Sequence, residues 1–215
     1  KPSGGLKIPW KKILLSLPCW AIIVAHSCNN WANYTILVCL PLFMKEVMEL
    51  EVQQNGLYTS LPYVFSFLMA ILSGHVSDLL IRRKWLSVAN TRKLLQTISS
   101  VIPAILLIVV GYLDKDDVIL VICLLCVIVS VNALCRSGMM VNHIDIAPRY
   151  SGILLGISNT VATVPGILGP AVVGWITTNV RRDFEWQTVF QICSVLLLFS
   201  SIFYCIFAQG ELQEW

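Results

Sequence analysis

The chain has 215 residues, of which 57% are hydrophobic and only 13% are charged, and its formal net charge is +3. Average soluble domains are about 45–50% apolar and about 25% charged. This composition excludes an ordinary soluble enzyme domain and a disordered segment, and the small, scattered positive charge excludes a nucleic-acid binder. The sequence therefore indicates an integral membrane protein. Because the chain begins Lys1-Pro2-Ser3-Gly4-Gly5, with no initiator Met and no signal peptide, we expect it to be part of a longer protein.

Six apolar segments are separated by charged or turn-rich breaks, and each is long enough for a membrane-spanning helix, which needs about 20 residues. A transmembrane barrel would instead need alternating strands of about ten residues. The apolar run Val118–Val131 shows no such alternation. The sequence therefore predicts an all-α membrane protein with six transmembrane helices. In chain order the predicted spans are residues 17–42, 56–81, 90–111, 118–141, 150–177 and 187–208.

The Lys and Arg residues in the breaks and at the ends of the spans predict the orientation of the bundle. One end carries ten of them, the opposite end carries four, and Arg136 lies inside the fourth span. By the positive-inside rule, the end with ten charges faces the cytoplasm, so both termini of this segment are expected there. The ten are Lys1, Lys7, Lys11, Lys12, Arg82, Arg83, Lys84, Arg92, Lys93 and Arg149, and the four are Lys45, Lys115, Arg181 and Arg182.

Five polar side chains recur along one face of the first span. His26, Asn29, Asn30, Asn33 and Tyr34 follow the spacing i, i+3, i+4, i+7, i+8, so a helix aligns them in a stripe that cannot face lipid. The stripe either joins this helix to its neighbours by hydrogen bonds or lines the pathway of a solute. The histidine favours the pathway, because it can titrate near neutral pH. These five residues are the first candidates for a substrate cavity.

The fourth span carries a second polar stripe, formed by Asn132, Arg136, Met140 and His143 on one helical face. An arginine at the centre of a spanning helix costs about 2.5–3.5 kcal/mol on insertion scales. Arg136 is therefore either an anchor whose side chain extends to the interface or a charge in the cavity that contacts an anion. Both interpretations remain open at this point.

Polar and small residues mark the second and fifth spans as well. Tyr58, Tyr63 and Ser66 are possible cavity groups around Pro62 in the second span, although core packing explains them at least as well. In the fifth span, Asn159 gives a narrow polar face that predicts a second cavity wall. The same span contains Gly152-x-x-x-Gly156, a spacing that lets two helices approach closely.

The break between the second and third spans contains the pattern G-x-x-x-D followed by basic residues, formed by Gly74, Asp78, Arg82 and Arg83. Gly74 lets a neighbouring helix come close, and Asp78 can accept hydrogen bonds from a helix N-terminus or pair with an arginine. The pattern resembles the cytoplasmic gating loop of the major facilitator superfamily. It therefore predicts that these four residues form a gate.

A more specific resemblance lies in Val141–Thr160, with the sequence VNHIDIAPRYSGILLGISNT. This stretch resembles the signature of the anion:cation symporter family, which contains sialin, the vesicular glutamate transporters and the sodium–phosphate cotransporters. The resemblance runs nearly from end to end of the chain and favours the sialin-like members. Further matching stretches, in order, are Ile8–Ile22, Asn30–Leu37, Asn55–Tyr63, Glu185–Phe190 and Gly210–Trp215.

The resemblance implies that the six spans are helices seven to twelve of a twelve-helix major facilitator transporter. The chain is then its C-terminal half, and its partner is the missing N-terminal six-helix half of the same protein. Residues 1–12 correspond to the end of the central cytoplasmic loop, 13–209 to the bundle and 210–215 to the start of a cytoplasmic tail. The family's main substrate arginine and its proton-coupling acids lie in the missing half.

The resemblance also implies secondary active transport of an organic anion by alternating access. The expected substrate is sialic acid, another acidic sugar or an acidic amino acid, with H⁺ as the coupling ion and no other cofactor. Vesicular glutamate transporters carry an arginine at the position that matches Asn29, which weakens a glutamate-specific interpretation. The expected location is a lysosomal, vesicular or plasma membrane. Sodium-coupled phosphate transport is the alternative within the family.

The last candidate group is the predicted cytoplasmic mouth, which contains His143, Asp145 and Arg149. These residues either pair across the gate or cap helix ends. An integral-membrane enzyme would need clustered ligands or a nucleophile with its base. The scattered histidines predict no metal site and no catalytic residue. A six-helix channel would need a pore-loop signal, which this sequence lacks. We therefore expect a transporter and not an enzyme.

Overall fold

A computed structural model describes residues 8–179 and 185–214, and within these residues the chain is entirely helical, as predicted. The predicted spans agree with the helices to within about one turn, except in the fourth span. The eight α-helices of the described part are α1 (Trp10–Leu14), α2 (Leu17–Glu46), α3 (Val52–Arg82), α4 (Val88–Val110), α5 (Val118–Asn132), α6 (Met139–Ile146), α7 (Ser151–Asn179) and α8 (Glu185–Phe207). Three 3₁₀ turns lie at Lys115–Asp117, Ala133–Arg136 and Pro148–Tyr150.

Five stretches of the described chain are long and apolar enough to cross a membrane, so the chain is an integral membrane protein with multiple spanning helices. Helix α2 has 30 residues, which is long enough, but it is not among the five. Its polar stripe lowers the hydropathy of its central part. The five stretches are Asn55–Arg82, Val88–Val110, Lys115–Ile146, Pro148–Thr178 and Glu185–Phe207.

Contacts between connections show which helix ends lie together. The Nζ atom of Lys115, between α4 and α5, is 3.3 Å from a carboxylate oxygen of Glu49, between α2 and α3. At the other end of the bundle, the backbone N–H of Gln213 donates to the carbonyl of Ile146 at 2.9 Å. Residues 210 and 89 also pack together there.

The N-terminal helix α1 lies at the same end as residues 208–214, because Ile13 shares an apolar cluster with Tyr150 and Ala208. Both ends of the described chain therefore meet at one end of the bundle, as an even number of passes requires. The cytoplasmic orientation of that end stays a prediction. Some residues of the charge count (Lys1, Lys7, Arg181 and Arg182) and the opening Lys1–Gly5 segment lie outside the described residues.

Helix α2 packs on α7 and α8, α4 packs on α5 and α8, and α3 packs on α5. The larger apolar core contains an aromatic group in which the Phe43 ring lies 5.2 Å from that of Trp186 and 5.1 Å from that of Phe190, centroid to centroid. A smaller core surrounds Ile22 and Tyr204. Several buried polar residues, among them His26 and Asn29 of α2 and Ser200 and Ser201 of α8, lie along their helices between the residues of these two cores. They form a polar layer inside the bundle.

The fourth predicted span is not one continuous helix. Helix α5 ends at Asn132, a 3₁₀ turn covers Ala133–Arg136, and α6 begins only at Met139. The break is held from outside, because Arg92 of α4 donates its Nη1 hydrogen to the carbonyl of Ser137 at 2.9 Å. The expectation of a single polar stripe through this span is therefore wrong: the break rotates His143 away from the face that carries Arg136.

Gly138 at the break is required by a close approach of α4. A Cβ atom placed there would lie 2.9 Å from the backbone nitrogen of Gln96. We expect Gly138→Ala to lower the free energy of unfolding by about 1–3 kcal/mol, because backbone atoms must move to admit the methyl group. Unfolding of the purified protein by an SDS titration measures this change. Gly174→Ala is the control, since a Cβ there meets nothing within 4 Å; equal losses in the two variants would contradict the close approach.

The glycines of α7 act at different positions from those predicted. A Cβ at Gly152 or Gly156 meets no atom within 4 Å in the described structure, so this pair brings no described helix close. The close approach lies further along α7, where a Cβ at Gly166 would reach 2.8 Å from the Tyr34 ring and one at Gly169 would reach 2.8 Å from Thr35 Oγ1. The reason is rotational: Ser158, Ala162, Gly166 and Gly169 share the face of α7 that meets α2, and Gly152 and Gly156 lie on another face.

Candidate solute cleft and polar layer

An open cleft of about 200 Å³ lies between α2, α3 and the broken fourth segment. Its polar lining consists of side chains from all three elements, and five of these are neutral while one is a cation. Leu37 and Val129 add apolar surface. The polar members are Asn33, Tyr34, Tyr63, Ser66, Asn132 and Arg136.

The polar stripe of α2 divides at this cleft. Asn33 and Tyr34 line it, whereas His26, Asn29 and Asn30 do not. The helix turns these three side chains towards α7 and the broken segment, so they lie outside this cleft, and their role in a substrate cavity stays a prediction. Asn30 donates to the carbonyl of Ala162 at 3.0 Å. Asn29 and Asn30 thus join α2 to its neighbours by hydrogen bonds, and a solute pathway along Asn33 and Tyr34 stays a prediction.

Asn29 belongs to a buried amide pair. Its Nδ2 donates to the carbonyl of Ala25, and its Oδ1 accepts from Nδ2 of Asn132 at 2.9 Å. The second hydrogen of that Asn132 amide is donated to the carbonyl of Ser99 at 3.1 Å. This pair joins α2, α4 and α5 directly behind the cleft.

His26 and His143 are linked by one serine. Ser158 Oγ lies 2.9 Å from Nε2 of His143 and 3.3 Å from Nδ1 of His26, and all three side chains are buried. The His143 Nδ1 atom lies 2.8 Å from the carbonyl of Met140. Since a carbonyl only accepts, that nitrogen carries a hydrogen, and the partners thus assign the tautomer. A neutral His143 can then accept at Nε2 from the Ser158 hydroxyl, whose one hydrogen is also within reach of the Leu155 carbonyl, 3.1 Å from Oγ. Ser158 Oγ can in turn accept from Nδ1 of His26.

Asn159, the predicted second wall, lies beside this serine but is exposed and outside the cleft lining. Its carbonyl accepts a hydrogen bond from Thr163 within α7. Adjacent residues of a helix point about 100° apart, because 3.6 residues complete one turn. The chain therefore presents Ser158, and not Asn159, to the histidines.

The predicted mouth contains a buried ion pair. Arg92 Nε lies 2.6 Å from Asp145 Oδ2, and Nη2 lies 3.2 Å from Oδ1, so the contact is bidentate. The Arg92 Nη1 atom also donates to Ser77 Oγ at 2.7 Å. Arg149, in contrast, is exposed, with its guanidinium carbon 5.9 Å from the centre of the Tyr150 ring. Asp145 therefore ties α6 to α4 within the bundle.

The predicted gate residues lie at the end of α3. Arg82 Nη2 is 3.7 Å from Asp78 Oδ2, and both side chains are exposed. Arg83 is exposed as well, and a Cβ at Gly74 meets nothing within 4 Å in the described structure. Ser77, next to Asp78, contacts the buried Arg92. The predicted gate is thus one residue away from the ion pair at the mouth, and its role as a gate stays a prediction.

Sequence reasoning missed Arg92, Ser137 and Ser158. Arg92 is a flanking charge in the sequence, and its position two residues inside the predicted span 90–111 is a usable signal. The two serines are common in membrane helices and carried no signal of their own. No group of three metal-ligating side chains occurs in residues 8–179 and 185–214, and the eight cysteines there are unpaired.

Comparison with known proteins gives a family and several relatives. Residues 2–170 match the profile of the Major Facilitator Superfamily. The chain is 44% identical to human sialin over 99% of its length and 42% identical to sialin of Ovis aries over the same share. It is 40% identical to vesicular glutamate transporter 1 of Bos taurus over its whole length. The chain spans about two fifths of the length of these relatives, 43%, 43% and 38% respectively.

The profile covers well over half of the chain, and the relatives match it from end to end. The helices and the apolar spans are those of an integral membrane protein, and the family is one of transporters and not of enzymes. The chain belongs to the major facilitator superfamily, as a partial fragment related to sialin and the vesicular glutamate transporters.

Proposed function

We propose that this chain is the C-terminal six-helix half of a twelve-helix transporter that moves an organic anion by alternating access. In this proposal α2 also spans the membrane and brings the number of spans from five to six. The missing N-terminal half closes the open side of the cleft. The observation that carries the proposal is the 44% identity with human sialin across 99% of the chain. A bundle of this kind places a solute site where the two halves meet.

The cleft supports an anionic solute with a polar body. It offers one cation, Arg136, among amide and hydroxyl groups. Sites for small molecules combine apolar walls with a few placed polar groups that fix orientation. An acidic sugar such as sialic acid matches these properties, with its carboxylate and its hydroxyl groups. Acidic amino acids match the charge but use fewer of the neutral groups.

The buried chain of His26, Ser158 and His143 supports H⁺ as the coupling ion. Histidine is the side chain that most readily gains and loses a proton between pH 5 and 8. The serine hydroxyl bridges the two rings, so that a proton can pass between α2 and the fourth segment through α7. Coupling to protons suits a lysosomal or vesicular membrane, although the proposal also allows the plasma membrane.

The full-length protein in proteoliposomes tests this proposal. We expect an imposed pH gradient to drive uptake of labelled sialic acid above the level in protein-free vesicles, and collapse of the gradient by an ionophore to abolish the excess. Glutamate and inorganic phosphate are measured in parallel, each with and without Na⁺. Phosphate uptake that depends on Na⁺, with no uptake of sialic acid, would instead establish the sodium–phosphate alternative. No uptake of any of the three would refute the proposal.

A further inference from the structure

Arg136 is the last residue of the 3₁₀ turn that breaks the fourth segment, well inside the span Lys115–Ile146. Its side chain is exposed and lines the cleft. No oxygen of residues 8–179 or 185–214 forms an ion pair with its guanidinium, whereas Arg92 on the other side of the break is fully paired. A cation inside a span that lacks a protein partner marks a functional site.

The backbone that carries Arg136 is held rigidly. The next residue, Ser137, shares a hydrogen bond of 2.8 Å with Ser73 Oγ through its hydroxyl and accepts from Arg92 through its carbonyl. Gly138 is packed against the α4 backbone. A binding group needs such support to keep its position when the solute arrives. The broken helix therefore holds the backbone of Arg136 at a fixed place, from which its side chain reaches the cleft.

The remaining cleft groups are neutral, and none of those in the described lining is an acid. Asn132 has already donated both amide hydrogens, to Asn29 and Ser99, so it offers the cleft an acceptor that suits a solute hydroxyl. Asn33, Tyr63 and Ser66 offer both donors and acceptors. The cleft of about 200 Å³ is smaller than a typical ligand pocket of about 300–1,000 Å³, so it fits one end of a solute.

Resting on the proposed function, we infer that Arg136 binds the carboxylate of the transported solute and that the surrounding amides and hydroxyls bind the adjacent hydroxyl groups. A guanidinium forms two parallel hydrogen bonds with a carboxylate, a geometry that the ammonium of lysine cannot reproduce. The single cation also balances the single negative charge of a carboxylate. The break in the fourth segment thus creates the anion-binding subsite of this half of the transporter.

The test compares glucuronate with its neutral analogue glucuronamide in the full-length protein. We expect Arg136→Ser to raise the KM for glucuronate about 10- to 100-fold, with the maximal rate kept within about twofold, because two charge-assisted hydrogen bonds are lost. Inhibition by glucuronamide should be the same in wild type and variant. Arg136→Lys should retain part of the affinity. Lys115→Ser, which removes an exposed cation outside the cleft lining, is the matched control and should change neither value.

Three results would overturn the inference. The first is an unchanged KM for glucuronate and an unchanged maximal rate in Arg136→Ser. The second is a lower maximal rate with an unchanged KM in this variant, which would show that Arg136 pairs with the other half of the protein. The third is loss of phosphate binding in this variant while glucuronate binding persists. Thermal stabilisation of the purified protein by glucuronate gives a second readout, so a wild type that binds but does not transport would refute only the proposed function.

Discussion

Replacing Arg92 with Met is expected to lower the free energy of unfolding by about 3–5 kcal/mol, because it leaves the largely buried carboxylate of Asp145 without its partner. The side chains of this pair are only 8% and 16% exposed. The substitution also removes the donors to Ser77 Oγ and to the Ser137 carbonyl in the helix break. Unfolding by SDS, followed by circular dichroism, measures the loss.

The exposed pair Asp78–Arg82 provides the matched control. Its atoms are 3.7 Å apart and both side chains face solvent, so Arg82→Met should cost less than about 1 kcal/mol. A double variant, Arg92→Met with Asp145→Leu, removes both buried charges and should recover much of the stability, because the uncompensated charge is gone. If Arg92→Met destabilised the protein no more than Arg82→Met, the buried pair would not be a stabilising link between α4 and α6.

Replacing Ser158 with Ala is expected to uncouple transport from the proton gradient. In the proposed proton path, a protonated His26 releases its Nδ1 hydrogen to Ser158 Oγ, and the serine passes its own hydroxyl hydrogen to Nε2 of His143. Alanine removes the bridging oxygen. We expect gradient-driven uptake to fall about tenfold or more, the size expected for losing a hydrogen bond to a charged group. Exchange of labelled for unlabelled solute needs no net proton movement and should be nearly unchanged.

Ser194→Ala controls for the loss of a buried hydroxyl in a spanning helix. Ser194 is buried and donates to backbone carbonyls of Ala104 and Phe190, away from the histidines. Its replacement should leave both uptake and exchange unaffected. Ser158→Thr keeps the hydroxyl and should retain part of the gradient-driven uptake. An equal loss of uptake and exchange in Ser158→Ala would show a packing role and would contradict the proton path.

The two sides of the helix break have different consequences. On one side, Arg92 and Ser73 hold Ser137 in place, and on the other side Arg136 faces the cleft. The same buried arginine therefore joins the predicted mouth, through Asp145, to the backbone of the solute cleft. Discontinuous helices recur at the binding sites of secondary transporters, since unwound backbone is tolerated where it lies against protein or a cavity.

Parts of the site were predictable and parts were not. The stripe of α2 was visible because its members recur at helical spacing, and two of them, Asn33 and Tyr34, do line the cleft. The break after Asn132 could not be predicted. It depends on the close packing of Gly138 against Gln96, which lies 42 positions earlier in the chain. The choice of Ser158 over Asn159 was also invisible, since it depends on how α7 is rotated against α2.

The sequence by itself determined that this is an all-helical membrane protein, where its apolar segments begin and end, and to which family it belongs. These properties follow from composition, local periodicity and motifs, which depend on residues close together in the chain. Only the tertiary structure decided which polar residues meet. Arg92 with Asp145, and His26 with Ser158 and His143, come from different helices, and their contacts depend on how those helices rotate and pack.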